Sequence, residues 1–268
     1  NQSAFKGNYT ESNGVRDDNA IYLANPDSTL NFKMTNGGSI YMADNIDGKL
    51  VESEGTITSA YNVDIQGDNK DNTTFYMLND IRNADVTVGN TTLNTINNQT
   101  HTYNFNSFAL TGDTNMVADV DLANESMDRF SANSYGSHQG NLHVVGMNML
   151  SDSPEDRDVT DIYFAQPGLK DNVVNGVNET PTNYQTTAYT PIYKYNVMYD
   201  NREDGGHFLF TKGDKIFVPT PGGGITTTPT GNQSDAFNPS VLSSPVAAQA
   251  GAYSTQLQTF SYAFQHAD

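Results

Sequence analysis

The sequence predicts an all-β chain: a right-handed parallel β-helix (a β-solenoid) with a C-terminal β cap, followed by a terminal α-helix. Three observations carry this prediction. Short alternating apolar runs recur at intervals of roughly ten to twenty-five residues, each able to fill one strand face and too short for a helix. Asn, Asp or Gly breaks each run. The stretch 238–268 alone follows a helical period.

The first region, 1–150, is expected to form the solenoid coils. Its runs lie at 30–34, 39–42, 75–78, 85–88, 103–105, 116–122 and 142–147. Between them Asn36-Gly37-Gly38, Asp47-Gly48, Gly89-Asn90 and Thr111-Gly112-Asp113-Thr114 supply turns that need positive φ. A sandwich spaces its strands by about 8–12 residues, whereas a parallel β-helix spends roughly twenty or more on each coil. The imperfect spacing leaves both open. The excess of Asn favours the solenoid, because stacked coils align turn asparagines into hydrogen-bonded ladders.

The texture changes at Ser151. An acidic turn-rich segment, 151–158, precedes longer apolar runs at 162–165 and 192–199. Residues 197–201 and 207–211 flank Arg202-Glu203-Asp204-Gly205-Gly206, a hairpin signal. The region 151–218 is expected to cap the solenoid, covering an edge that would otherwise recruit another chain. Residues 219–237 contain TPGGGITTTPTGNQ, an uncharged low-complexity stretch expected to be a linker.

In the helix expected over 238–268, Ser244 can cap and Pro245 can occupy the first helical position. Val246, Ala250, Tyr253, Leu257, Phe260 and Phe264 then form one continuous stripe. Between Asp235 and Asp268 there is no Lys, Arg, Asp or Glu, whereas a solvated helix carries charge on its wet face. One reading packs the helix on the domain or on a second copy. The other threads it through a narrow polar tube: about twenty-two residues reach roughly 33 Å, enough to cross the apolar band of about 25 Å on an outer-membrane barrel.

A family resemblance rests on these residues. Asn238-Pro239-Ser240-Val241-Leu242, Ser244-Pro245-Val246-Ala247-Ala248-Gln249 and Gly251-Ala252-Tyr253-Ser254-Thr255-Gln256-Leu257 resemble the linker that precedes the barrel of bacterial autotransporters (type V secretion). Pro191-Ile192-Tyr193-Lys194-Tyr195-Asn196-Val197, Asp204-Gly205-Gly206-His207-Phe208 and Asp119-Val120-Asp121-Leu122-Ala123 resemble the end of passenger domains in that family. The resemblance covers the second half of the chain. It implies a β-solenoid passenger, a linker helix threaded through an outer-membrane β-barrel, and a place at the bacterial cell surface or outside the cell. The sequence departs from the pattern in stopping at Asp268, where the barrel would begin, and in lacking an Asn-Asn pair in the helix. Starting at Asn1 rather than Met, it reads as a processed or trimmed chain.

The composition excludes several partners. With 31 acidic against 13 basic residues and a formal charge of −18, the chain is unsuited to nucleic acid or to an anionic lipid surface. There is no cysteine, so neither disulfides nor thiolate metal sites exist. With 15 Tyr and 13 Phe the chain is richer in aromatics than disordered sequences are.

Motifs for chemistry are sparse. Five His are scattered, and His138 and His143 are expected to be two surface imidazoles beside Gly140 rather than a metal pair. Ser137 lacks the Gly-x-Ser-x-Gly spacing of a nucleophile elbow. Asp119 and Asp121 share a strand face about 7 Å apart, within the range of a glycosidase pair; in so acidic a chain they are expected to be solvated surface acids. The same residues with nearby Asn carbonyls suit Ca²⁺ only weakly, as no Gly-Gly-x-Gly-x-Asp repeat occurs.

No catalytic residue, cofactor or metal is therefore expected, and the chain is read as a non-enzymatic surface stalk or adhesin passenger. Its expected partners are an outer-membrane barrel and a host or surface glycan or protein. The alternative is a self-associating subunit of an extracellular filament or matrix. A polysaccharide-degrading β-helix enzyme is the least favoured reading.

Overall fold

The computed structural model describes residues 21–23, 29–48, 61–176 and 186–213 in full. It also describes the backbone of strand residues 2–5, 11–12, 15–16, 19–20, 51–53, 56–58, 185, 216–220 and 224–228. The chain is all-β, and its larger sheets are parallel. The expected terminal helix over 238–268, with its stripe Val246, Ala250, Tyr253, Leu257, Phe260 and Phe264, lies outside the described residues. Among the described residues the one helical element is the 3-10 turn Lys170–Asn172.

Each apolar run expected from the sequence falls in a strand, because strict alternation puts one face into the core. Tyr61–Gln66 illustrates this: Tyr61, Val63 and Ile65 are buried, while the residues between them face outward. The chain visits the sheets in turn. Thr29–Lys33, Ser39–Met42 and Asn45–Gly48 lie in three different sheets. So do Tyr61–Gln66, Thr74–Met77 and Ile81–Arg82, which return to the same three. From Ala84 the path shortens to two sheets: Ala84–Gly89, Thr102–Leu110 and Arg129–Tyr135 alternate with Thr92–Asn94, Thr114–Asp121 and Leu142–Ser151.

Register is kept from pass to pass. In one sheet Leu30, Val63, Val86, Phe108 and Tyr135 are successive Cα partners. In another, Ile40, Phe75, Leu93, Met116 and Val144 are. Within these rows apolar side chains stack over apolar side chains. A fully buried Phe or Val stabilises by about 1.5–3 kcal/mol relative to exposure. Phe105, Phe108 and Phe130 form an aromatic cluster within this core, with ring centroids 5.3 to 5.8 Å apart.

The corner leading into the sheet of Ile40, Phe75 and Leu93 is built from threonine. Thr73, Thr91 and Thr114 occupy one row and are fully buried. The Thr91 hydroxyl donates to the Thr73 carbonyl at 3.1 Å, and the two hydroxyls lie 3.3 Å apart. This buried row is of threonine, not the asparagine ladder expected from composition. Asn36, Asn83, Asn90 and Asn98 instead take positive φ, which Asn tolerates better than most side chains. Asp47-Gly48, expected as a turn, belongs to the strand Asn45–Gly48. Gly48 is needed there for close approach, since a Cβ would lie 2.5 Å from the Asn83 carbonyl oxygen.

Beyond Ser151 one more parallel strand, Val173–Asn175, adds to the large sheet beside residues 142–144, and the other strands pair antiparallel in the order Val159–Ala165, Gly206–Lys212, Lys194–Asn201, Gln185–Tyr189. The hairpin expected around residues 202–206 forms, with Tyr199 opposite Phe208 and Asn201 opposite Gly206. Phe164, Tyr195, Phe208 and Phe210 are buried and continuous with the apolar cluster of the parallel sheets. The acidic segment is held against this unit by Lys212, whose ammonium donates to the Pro154 and Glu155 carbonyls and sits 4.7 Å from the Tyr193 ring centroid. Within the expected 219–237 linker the structure differs: Ile216–Thr220 pairs antiparallel with Gly224–Thr228. The β-branched Ile225 and Thr226–Thr228 favour that extended pairing.

Candidate functional site

The site begins with two buried carboxylates. Strand Thr114–Asp121 ends in a turn through Glu125, and Ser126–Met127 folds back antiparallel onto it. This reversal brings Asp128 beside Asp119, and both are fully buried. Asp128 accepts from the Thr95 hydroxyl at 2.7 Å, the Asp119 amide at 2.9 Å and the His101 amide at 2.7 Å. Asp119 accepts from the amides of Asn97 at 2.8 Å and Gln99 at 3.2 Å, and from the Asn148 side chain at 2.5 Å. Together they hold segment 95–101 through the Thr95 hydroxyl and the N–H groups of Asn97, Gln99 and His101. Burial pushes the Asp128 carboxyl up to about 6, against the pull of its three donors, and the Asp119 charge adds to the rise.

Above this clamp, where the parallel sheets meet the antiparallel unit, lies a groove of about 330 Å³. It is lined by segment 100–102, by Glu125, Ser126, Met127 and Arg129, and by Tyr163 of the antiparallel unit. The Thr100 and Ser126 hydroxyls bond at 2.8 Å. His101 turns its Nε2 to Asp80 at 2.7 Å. Glu125 pairs with Arg157 at 2.7 Å and takes φ +51, a left-handed conformation uncommon for Glu. The Arg129 guanidinium carbon stands 5.2 Å from the Tyr163 ring centroid.

Tyr163 is held from its other neighbours as well. His207 meets its ring edge-on, with centroids 5.3 Å apart. Asp161 accepts from His207 Nδ1 and from Arg202, each at 2.8 Å, which fixes that imidazole. Burial raises the Tyr163 phenol above its ordinary value, with Arg129 working against the rise.

Comparison with protein-family models, with curated proteins and with solved structures finds no match to this chain. The site is read from its own chemistry.

The Ser126 hydroxyl bonds that of Thr100. Among the described residues no three His, Asp or Glu side chains are grouped to hold a metal ion. What the groove presents is hydroxyls, an imidazole, a carboxylate already paired with arginine, and a guanidinium on an aromatic ring.

The residues singled out from the sequence have other fates. Asp119 is no solvated acid; it is buried in the clamp. Asp121 accepts from Ser151 and from the Asn124 side chain, which pins a turn, and these bonds hold its carboxyl below the usual range against burial. His138 accepts from the Leu110 amide through Nδ1 and donates to the Gly168 carbonyl through Nε2, so both nitrogens are occupied. His143, expected at the surface, is 1 % exposed, and neither of its ring nitrogens has a hydrogen-bond partner. Its nearest charge is Asp113, at 3.8 Å. His101, Glu125, Arg129 and Tyr163 carry no sequence motif. The one available signal is scarcity: with 13 basic residues in 268, each arginine invites the question of what it pairs with.

Proposed function

We propose that the parallel sheets are the faces of a right-handed β-solenoid, and that the chain is a rigid, non-enzymatic stalk or adhesin passenger of a bacterial surface or secreted protein. The observation that carries this is the unbroken register of the rows Leu30–Val63–Val86–Phe108–Tyr135 and Ile40–Phe75–Leu93–Met116–Val144. A structure whose passes contact only their neighbours resists bending and grows by repetition, which suits a spacer. The antiparallel unit covers one end, as a solenoid requires to stay soluble. The resemblance of residues 119–123, 191–197, 204–208, 238–242, 244–249 and 251–257 to autotransporters extends the reading. The tail 238–268, with its stripe from Val246 to Phe264, would then enter an outer-membrane barrel.

The test is sizing by light scattering and small-angle X-ray scattering, with and without residues 238–268. A rod-shaped monomer in both cases supports the stalk. Assembly that disappears on truncation favours the alternative, a self-associating filament subunit. A spherical particle rules out both.

A further inference from the structure

We propose that the groove beside Arg129 binds a sugar carrying a carboxylate, a uronate or sialate residue. This goes beyond the stalk reading and needs only the groove. Of the four arginines whose side chains are described, Arg82, Arg157 and Arg202 are paired with acids, while the Arg129 side chain makes no hydrogen bond or ion pair among the described residues. In a chain of net charge −18 such a guanidinium is unusual, because carboxylates are abundant and Arg pairs with them readily. It is also held in place, since stacking on Tyr163 orients its plane while leaving its N–H groups free to donate.

The surroundings select the rest of the ligand. Thr100, Thr102 and Ser126 bring hydroxyls to the groove, which suits a polyhydroxylated ring better than an apolar one. Glu125 is offset by Arg157, so it can accept from a sugar hydroxyl with less repulsion of the ligand's acid. The volume, about 330 Å³, lies at the small end of ligand pockets and suits a short saccharide end. The negative field of the whole chain disfavours polyanions, so a single carboxylate is the fitting charge.

The experiment is an NMR titration of the full chain read at the His101 and Tyr163 rings. The probes are galacturonate, glucuronate and N-acetylneuraminate, with galactose, glucose, acetate and N-acetyl-aspartate amide as controls at matched ionic strength. At least one acid sugar is expected to shift both rings at a tenfold lower concentration than any control. Arg129→Gln is expected to weaken it at least tenfold, and Arg129→Lys to fall between, lacking the planar fork. The three acid sugars distinguish a uronate from a sialate source. The wild-type titration stands by itself if a variant fails to fold. The proposal is overturned by equal binding of neutral sugars, by acetate or the aspartate derivative binding as well as any acid sugar, by Arg129→Gln binding unchanged, or by no response to any acid sugar up to about 10 mM.

Discussion

Asp119 and Asp128 are joined twice through the main chain: the Asp128 amide donates to the Asp119 carbonyl at 2.9 Å, and the Asp119 amide donates to the Asp128 carboxylate at 2.9 Å. Two acids are thus held together out of water, which raises the question of how much charge the pair can carry.

Asp128 gives the first prediction. Its folded value, about 6, lies above the ordinary 3.8 because burial penalises the charged form. The folded state therefore holds this proton more tightly than the unfolded chain. The stabilisation is complete below about pH 3.8 and is lost as pH rises through 6, by roughly 3 kcal/mol at most. Acids with lowered values, such as Asp71 and Asp121, work in the opposite direction, so the comparison must be with Asp128→Asn. Urea midpoints from pH 4 to 7.5 should show wild type losing its advantage over the variant as pH rises. A constant difference between the two would refute the raised value.

The corner threonines give the second. Thr91→Val keeps the buried shape and removes the donor to the Thr73 carbonyl. The Thr73 hydroxyl retains the Asn69 carbonyl at 2.9 Å as an acceptor. The expected cost is about 1 kcal/mol in urea unfolding, with the unfolding slope unchanged. No change at all would mean that the hydroxyl row contributes nothing to holding successive passes together.

His143 gives the third, with opposite sign. A buried imidazole without hydrogen bonds carries a desolvation penalty of about 1–3 kcal/mol. His143→Leu removes those polar atoms from a site 1 % exposed. The variant should be as stable as wild type or more so, read as a higher thermal midpoint at pH 7. A marked fall in that midpoint would count against an unpaired ring.

Lys212 gives the fourth. It is 6 % exposed and supplies donors to two carbonyls of the acidic segment. Lys212→Met keeps much of the apolar stem and leaves those carbonyls without their cation, a loss of about 1.5–3 kcal/mol. Segment 152–158 should then loosen before the strands do. Trypsin cleavage after Arg157 should become faster under native conditions, while a rate equal to wild type would show that the segment is held by other contacts.

Strand positions were legible because a side-chain period of two is a local property, and every run from 30–34 to 142–147 carries it. The hairpin through Asp204-Gly205-Gly206 was legible for the same reason: turn residues stand between two apolar runs. The row of Thr73, Thr91 and Thr114 was hidden, since successive passes differ in length and the row shows no fixed spacing along the chain. Within 219–237 the pairing of Gly224–Thr228 was hidden, because Gly and Pro mask the β-branched run there.

The amino-acid sequence by itself determined that this chain is β-rich, acidic and free of cysteine, and which residues face its core. Those properties follow from composition and from neighbours along the chain. The tertiary structure alone decided that Asp119 is buried beside Asp128, that His138 and His143 lead separate lives, and that Arg129 stands over Tyr163 beside Glu125 and His101. Each of these depends on residues distant in sequence being brought together by strand pairing. A side chain's charge state and partners are set by the atoms around it in space, and for these residues most of those atoms come from other passes of the chain.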